Sequence, residues 1–232
     1  MLVLGIDTET TGIDIQKDSI VELGAVLFDI SDNGSWEPVE SFCSLVYEDG
    51  YTITAEAEKV NGISLDKLKS EGISLKKAVA EVLPLAARAD YIIAHNAQFD
   101  LGMLSNQCQL KKISAVEIFK KPWLCSIEDL PSNEGKKCLK LSHLAVDYGV
   151  IVNPDELHRA TGDILLMGKM LEKAKADIYE MHRYSIAPYR VLAAEVTPPW
   201  EDNGKSADIA KSLGFSWEKT RKSPKQIGRA HV

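Results

Sequence analysis

The stretch Leu2-Val3-Leu4-Gly5-Ile6-Asp7-Thr8-Glu9-Thr10-Thr11-Gly12 decides how the rest of the chain is read. Its first five residues are an uncharged apolar run, the pattern of a strand buried on both faces in the middle of a sheet. The run ends at Asp7. A strand projects residues i and i+2 from one face, so Asp7 and Glu9 point together at the carboxyl end of that strand. Open α/β sheets place their ligands at this end. Two carboxylates side by side repel each other and resist ionisation unless a cation neutralises them. An all-oxygen pair suits Mg²⁺ or Mn²⁺. Taken alone, the pair also fits an acidic strand end that caps the following turn.

Outward from this strand, Ile20–Ile30 reads as a second strand, bounded by the turn Asp32-Asn33-Gly34. Val39–Val46 reads as a third, making a hairpin over residues 19–46. After Gly50 the pattern turns helical, with Leu75, Val79, Val82, Leu83 and Leu85 at helical spacing. Tyr91-Ile92-Ile93-Ala94 is another buried strand, followed at once by a helix starting near Ala97. Further helices are expected over Leu139–Tyr148 and from Ala160 to about Ala176. A hairpin followed by alternating helices and strands implies an α/β domain, a mixed sheet covered by helices.

Two more motifs sit where structure changes type. His95-Asn96-Ala97-Gln98-Phe99-Asp100 follows an apolar strand, with Asn96 expected to cap the next helix and Asp100 to lie in its first turn. First-turn acids are common because they suit the helix dipole, so Asp100 alone is a weak signal. His158-Arg159-Ala160-Thr161-Gly162-Asp163 opens the helix at Ala160. If His158 and Asp163 were both helical they would lie about 140° apart, so they converge only if His158 precedes the helix. A histidine there, with an ordinary pKa near 6.5, suits a general base. His95, His143 and His182 lie in no comparable pattern and read as structural or surface residues.

The composition of the 232 residues is that of a water-soluble protein, 45% hydrophobic and 26% charged. No apolar run approaches a membrane span and the start lacks a signal-peptide pattern, so a cytoplasmic location is expected and no membrane partner. Cys43, Cys108, Cys125 and Cys138 contain no C-x-x-C pair, which argues against a zinc site and a disulfide framework. The net charge is −7, unevenly spread: residues 205–232 hold seven basic and two acidic side chains, leaving 20 basic against 32 acidic in the first 204. An acidic body accepts a polyanion when divalent cations lie between them.

The three motifs, D-x-E-T-T-G, H-N-A-x-F-D and H-R-A-x-G-D, in this order resemble the DEDDh exonucleases, also called DnaQ-like. The group includes the epsilon proofreading subunit of bacterial replicative polymerase and stand-alone exonuclease-X proteins. The likeness covers residues 1–178 and implies a ribonuclease-H-like five-stranded mixed sheet flanked by helices. It further implies two Mg²⁺ or Mn²⁺ ions, with Asp7 bridging them, Glu9 and Asp163 completing one site and Asp100 supporting the other. Two such ions about 3.5–4 Å apart stabilise the attacking and leaving oxygens of an in-line displacement. His158 would deprotonate the attacking water, and backbone groups around Thr8, Thr10 and Thr11 would sit near the terminal 3′-hydroxyl. Phe99 is placed against the substrate end, although an aromatic at this position is more often core. Val60-Asn61-Gly62-Ile63 resembles the segment lining the terminal-nucleotide pocket, with Asn61 where the family usually carries His.

Residues 186–226 read as a small basic module, cut short, with a strand at Val191–Val196 and a helix at Ala207–Leu213. There Lys205, Lys211, Lys219, Arg221 and Lys222, with Phe215 and Trp217, combine phosphate attraction with stacking, or are a tiny core with solvated lysines. Residues 227–232 match one translated frame of a common sequencing adapter and are read as a non-native tail. The expected activity is a metal-dependent 3′→5′ exonuclease acting on DNA 3′ ends or single strands and releasing nucleoside 5′-monophosphates. A polymerase-bound proofreading subunit and an RNA-trimming enzyme are alternatives, although the tail shows no clear clamp-binding segment. So is a nucleic-acid-binding module on an inactive scaffold, against which the intact carboxylates and His158 argue. DNA and RNA differ at the 2′-hydroxyl, which pocket geometry reads, so both stay open. The oligomeric state is open too.

Overall fold

The computed structural model describes residues 1–153 and 159–186, and Met1–Ser185 forms one compact unit. His158 and the expected tail elements lie outside the described residues. Five strands make one mixed sheet in the order β3-β2-β1-β4-β5: β1 Leu2–Thr10, β2 Ile20–Ile30, β3 Trp36–Leu45, β4 Tyr91–Ala94 and β5 Trp123–Cys125. β1, β2 and β3 pair antiparallel, whereas β4 pairs parallel to both β1 and β5.

β1 does not stop at Asp7. It runs to Thr10 because β2 pairs with it throughout, placing Asp7 opposite Gly24 and Glu9 opposite Glu22. On its other side β4 pairs only with Val3–Gly5, so Ile6–Thr10 overhangs its parallel neighbour. The third strand begins at Trp36, not Val39. Phe28 faces Pro38 and Leu27 faces Glu40, so Val39 is an extra residue in the ladder. Pro38 is tolerated because β3 is an edge strand. Trp36 is retained by packing edge-on against Phe28, with ring centroids 5.5 Å apart.

The helical region after Gly50 is three helices, α1 Ala55–Asn61, α2 Leu65–Glu71 and α3 Leu75–Arg88. Each opens on a hydroxyl, Thr54, Ser64 or Ser74, that accepts an amide of the first turn. α4 Ala97–Leu110, α5 Val116–Phe119, α6 Leu141–Asp147, α7 Ala160–Lys173 and α8 Ile178–Ile186 follow. α7 stops short of Ala176, and Lys175 has a left-handed φ of 53°. Among the described residues no helix is long and apolar enough to cross a membrane.

The period of two along β1 divides the interior. Leu4 and Ile6 belong to a core with Leu75, Val79 and Val82 of α3 and Met103 and Leu104 of α4. Val3 belongs to a second core with Ile164, Met167 and Leu171 of α7 and Met181 of α8. Gly5 and Gly24 face α7 directly. A Cβ on Gly5 would lie 2.4 Å from Ile164 Cγ2, and one on Gly24 would lie 2.6 Å from Ala160 Cβ and 3.0 Å from its carbonyl carbon. The helix therefore rests on bare strand backbone at its first residue. Gly24→Ala should force that end outward and cost about 1–3 kcal/mol of unfolding free energy, measured by urea denaturation.

Candidate active site

The same alternation distributes the motif carboxylates. Asp7 and Glu9 continue the face of β1 that carries Val3 and Gly5, the face covered by α7. Asp163 lies in the first turn of α7. Asp7, Glu9 and Asp163 each offer a carboxylate oxygen within 4.8 Å of the other two. Thr8 projects to the opposite face, towards α4. There its amide and its hydroxyl both donate to Asp100 Oδ1, at 2.9 and 2.8 Å. Asp100 is thus held by β1 itself, outside the cluster of three but near enough for its charge to act on Asp7.

The electrostatic consequences are large. Burial, then the charges of Asp100, Glu9, Asp163 and Glu22, raises Asp7 well above the usual carboxylate range. Burial first, then Asp163, Glu22 and Asp100, pushes Glu9 up to about 8, with Arg159 pulling weakly the other way. Burial lifts Asp100 to about 7, although both bonds from Thr8 favour its charged form. These three carboxyl groups, with the charge of Asp163 beside Asp7 and Glu9, resist ionising together without added positive charge. The donor set is all oxygen, so the residues fit a hard divalent cation.

The pattern of the Exonuclease family matches residues 4–171, from the first strand through the last motif. The chain belongs to the exonuclease family. Its domain is of the 3′→5′ type, with the mixed sheet flanked by helices expected from the sequence. DNA polymerase III subunit epsilon of Treponema pallidum is 28% identical over 160 residues, with 68% of each chain covered. Ribonuclease T of Histophilus somni is 32% identical over 118 residues, covering 47% of this chain and 54% of the relative. A zinc-bound complex of E. coli exonuclease I with single-stranded DNA superposes with a TM-score of 0.65 at 18% identity, over 79% of this chain and 42% of that one. That last likeness shows the fold. The chain spans about half the length of ribonuclease T and less than half of exonuclease I.

Within this exonuclease domain the other expected residues fall out differently. The Thr11 hydroxyl donates to Asp18 Oδ1 and accepts the Ser19 amide, and the Thr10 hydroxyl donates to the Gly12 carbonyl. These side chains brace the loop after β1, and α4 holds it from beneath through Asn106 and Gln107. Asn61 is buried at the end of α1. Its Nδ2 donates to the Thr10 carbonyl and its Oδ1 accepts the Ile63 amide, tying the segment after α1 to the end of β1. Phe99 is half-buried against the core that α3 and α4 share with the sheet. Asn96 does not cap α4 with its side chain. It adopts a left-handed conformation, φ 69°, which asparagine tolerates better than most residues. His95 bonds Ser126 Oγ and the Leu139 carbonyl, and burial holds it down to about 4, so it is a neutral structural residue.

Sequence reasoning missed Glu22 and Arg159. Glu22 is fully buried on β2, directly across from Glu9. It accepts from Arg159 Nε at 3.0 Å, from the Arg159 terminal nitrogen at 2.6 Å and from the Ala160 amide at 2.9 Å. One signal was available. Glu22 is the only charge between Ile20 and Phe28, and a carboxylate inside so apolar a run needs a dedicated partner.

Proposed function

We propose that this chain removes nucleotides singly from the 3′ ends of DNA, using two Mg²⁺ or Mn²⁺ ions held by Asp7, Glu9, Asp163 and Asp100. The observation that carries the reading is the convergence of Asp7, Glu9 and Asp163 within 4.8 Å, with Asp100 pinned beside them. Bound cations would neutralise the carboxylates and the charge that develops on the phosphate. Thr8 keeps Asp100 oriented through two hydrogen bonds. The backbone from Thr8 to Thr11, braced by Asp18 and Asn61, would receive the terminal nucleotide, with Phe99 at its end. His158 would take the proton from the attacking water. The phosphorus–O3′ bond breaks, leaving a shortened strand with a 3′-hydroxyl and a free nucleoside 5′-monophosphate.

DNA is favoured because the superposing exonuclease I is bound to single-stranded DNA and the Treponema relative is a DNA polymerase subunit. The same relative, matched over 68% of its length, supports a second reading, proofreading alongside a polymerase. Matched 5′-labelled DNA and RNA strands, incubated with Mg²⁺ or with chelator, test the proposal. It expects a ladder shortening from the 3′ end, on DNA before RNA, only when metal is present. Digestion that survives chelation would sink the metal assignment, and a ladder on RNA alone would replace the substrate. His158→Ala should slow turnover roughly 10²–10⁴-fold near neutral pH while leaving oligonucleotide binding intact. Unchanged turnover would remove His158 from the role of base.

A further inference from the structure

The start of α7 carries Asp163 to the cluster, yet its own sequence holds it poorly. Arg159, the residue before the helix, makes no side-chain capping bond. The first amides of any helix lack partners within it. Here the partner comes from another strand: Glu22 accepts the Ala160 amide, and the negative charge suits the positive end of the helix dipole. Two Arg159 nitrogens also converge on Glu22 Oε1, Nε at 3.0 Å and the terminal nitrogen at 2.6 Å, and Nε reaches Oε2 at 3.3 Å, charge-assisted bonds that are stronger than neutral ones. Two residues along β2, on the same face, Gly24 leaves room for Ala160 to touch the strand. Glu22 and Gly24 face Glu9 and Asp7 across the β1–β2 ladder. The residues that seat α7 are therefore the cross-strand neighbours of the residues Asp163 must meet.

We propose that Glu22 is a positioning residue, clamping Arg159 and the first amide of α7 so that Asp163 stays in register with Asp7 and Glu9. The inference rests on the exonuclease reading of that cluster. Glu22 is not free to serve as a further ligand, because both its oxygens are occupied by Arg159 and Ala160. Arg159 keeps a side chain 48% exposed, so its charge is still solvated when the pairing is altered. Groups that orient metal-binding side chains typically cost about 10–100-fold in metal affinity or activity when changed.

Two variants test the clamp. Glu22→Gln keeps an acceptor for the Ala160 amide but removes the charge, and Arg159→Lys keeps the charge but removes the fork. Glu22→Gln should lower kcat on a single-stranded oligonucleotide about 10–100-fold and weaken Mn²⁺ binding, read by electron paramagnetic resonance, by a similar factor. KM for the oligonucleotide should stay within about threefold. Hydrogen exchange of residues 160–166 should accelerate in both variants, a readout that does not require the protein to cut anything. If Glu22→Gln does not fold, Arg159→Lys carries the test by the same measurements. Wild-type exchange in both variants would overturn the clamp. So would faster exchange with kcat and Mn²⁺ binding unchanged, which would make Glu22 structural only. A rise in KM alone would overturn it in favour of a substrate contact by Arg159. A wild-type protein that digests no nucleic acid would instead defeat the exonuclease reading, with exchange still reporting on the clamp.

Discussion

Asp7→Asn should abolish metal-dependent digestion, a loss of roughly 10⁴-fold or more, while the metal-free protein becomes harder to unfold. The first half follows from position. Asp7 is the carboxylate that every other acidic group of the site acts upon, and it shares an oxygen cluster with Glu9 and Asp163. If Asp7 holds the cation, its loss would remove several kcal/mol of charge stabilisation in the transition state, and each 1.36 kcal/mol is a factor of ten in rate. The second half follows from the same crowding. Burial and four neighbouring carboxylates oppose the charge on Asp7, so an uncharged amide of equal size relieves the fold. A chelated sample should therefore melt at a higher temperature in the variant than in the wild type. A variant that still digests DNA with Mg²⁺ would remove Asp7 from the metal site. One that melts lower without metal would show that repulsion is not the dominant force there.

Metal withdrawal is the second large effect, and its influence on stability should depend on pH. Glu9 has an ordinary value of 4.5 and is raised to about 8 in the fold, while Asp100 moves from 3.8 to about 7. Between those limits the folded chain holds protons that the unfolded chain has shed. Stability is then fully present below the ordinary values and is lost as pH rises through the folded ones. The metal-free protein should accordingly melt lower at about pH 8.5 than at about pH 6, the conditions that bracket these shifts. Cations bind the ionised carboxylates, so added Mg²⁺ should recover more at the higher pH. At a hundredfold excess over its dissociation constant a cation contributes about 2.7 kcal/mol, equivalent to roughly 5–10 °C for a domain of this size. Chelator should stop digestion at both pH values. An equal Mg²⁺ gain at each pH would contradict the electrostatic account, and so would a melting temperature indifferent to pH without metal.

Much of the architecture was legible because local chemistry announced it. The run Leu2–Ile6 had to be an interior strand, and the alternation beyond it had to put Asp7 and Glu9 on one face. Trp123–Cys125, only three residues long, has no period to detect; it is a strand because β4 offers it a parallel edge. α8, Ile178–Ile186, was missed as well, and it exists because Ile178 and Met181 complete the core under α7. Asn96 occupies the expected cap position of α4, but it does so in a left-handed conformation that asparagine tolerates and without a side-chain capping bond.

The sequence by itself determined that the acidic residues fall in three short motifs and that Asp7 and Glu9 share one face of β1, because side-chain type and the period of two are local properties. It also determined that Asp7 and Glu9, side by side, must either hold a proton or attract a cation, since repulsion between adjacent carboxylates follows from their nature. Only the tertiary structure decided that Asp163, more than 150 residues away, joins Asp7 and Glu9 while Asp100 is held to one side by Thr8. It alone recruited Glu22 and Arg159. The physical reason is that convergence over such distances is set by packing, in which Gly5 and Gly24 let α7 touch the sheet, and by the need to pair every buried charge. Neither constraint is visible from a residue's neighbours in the chain.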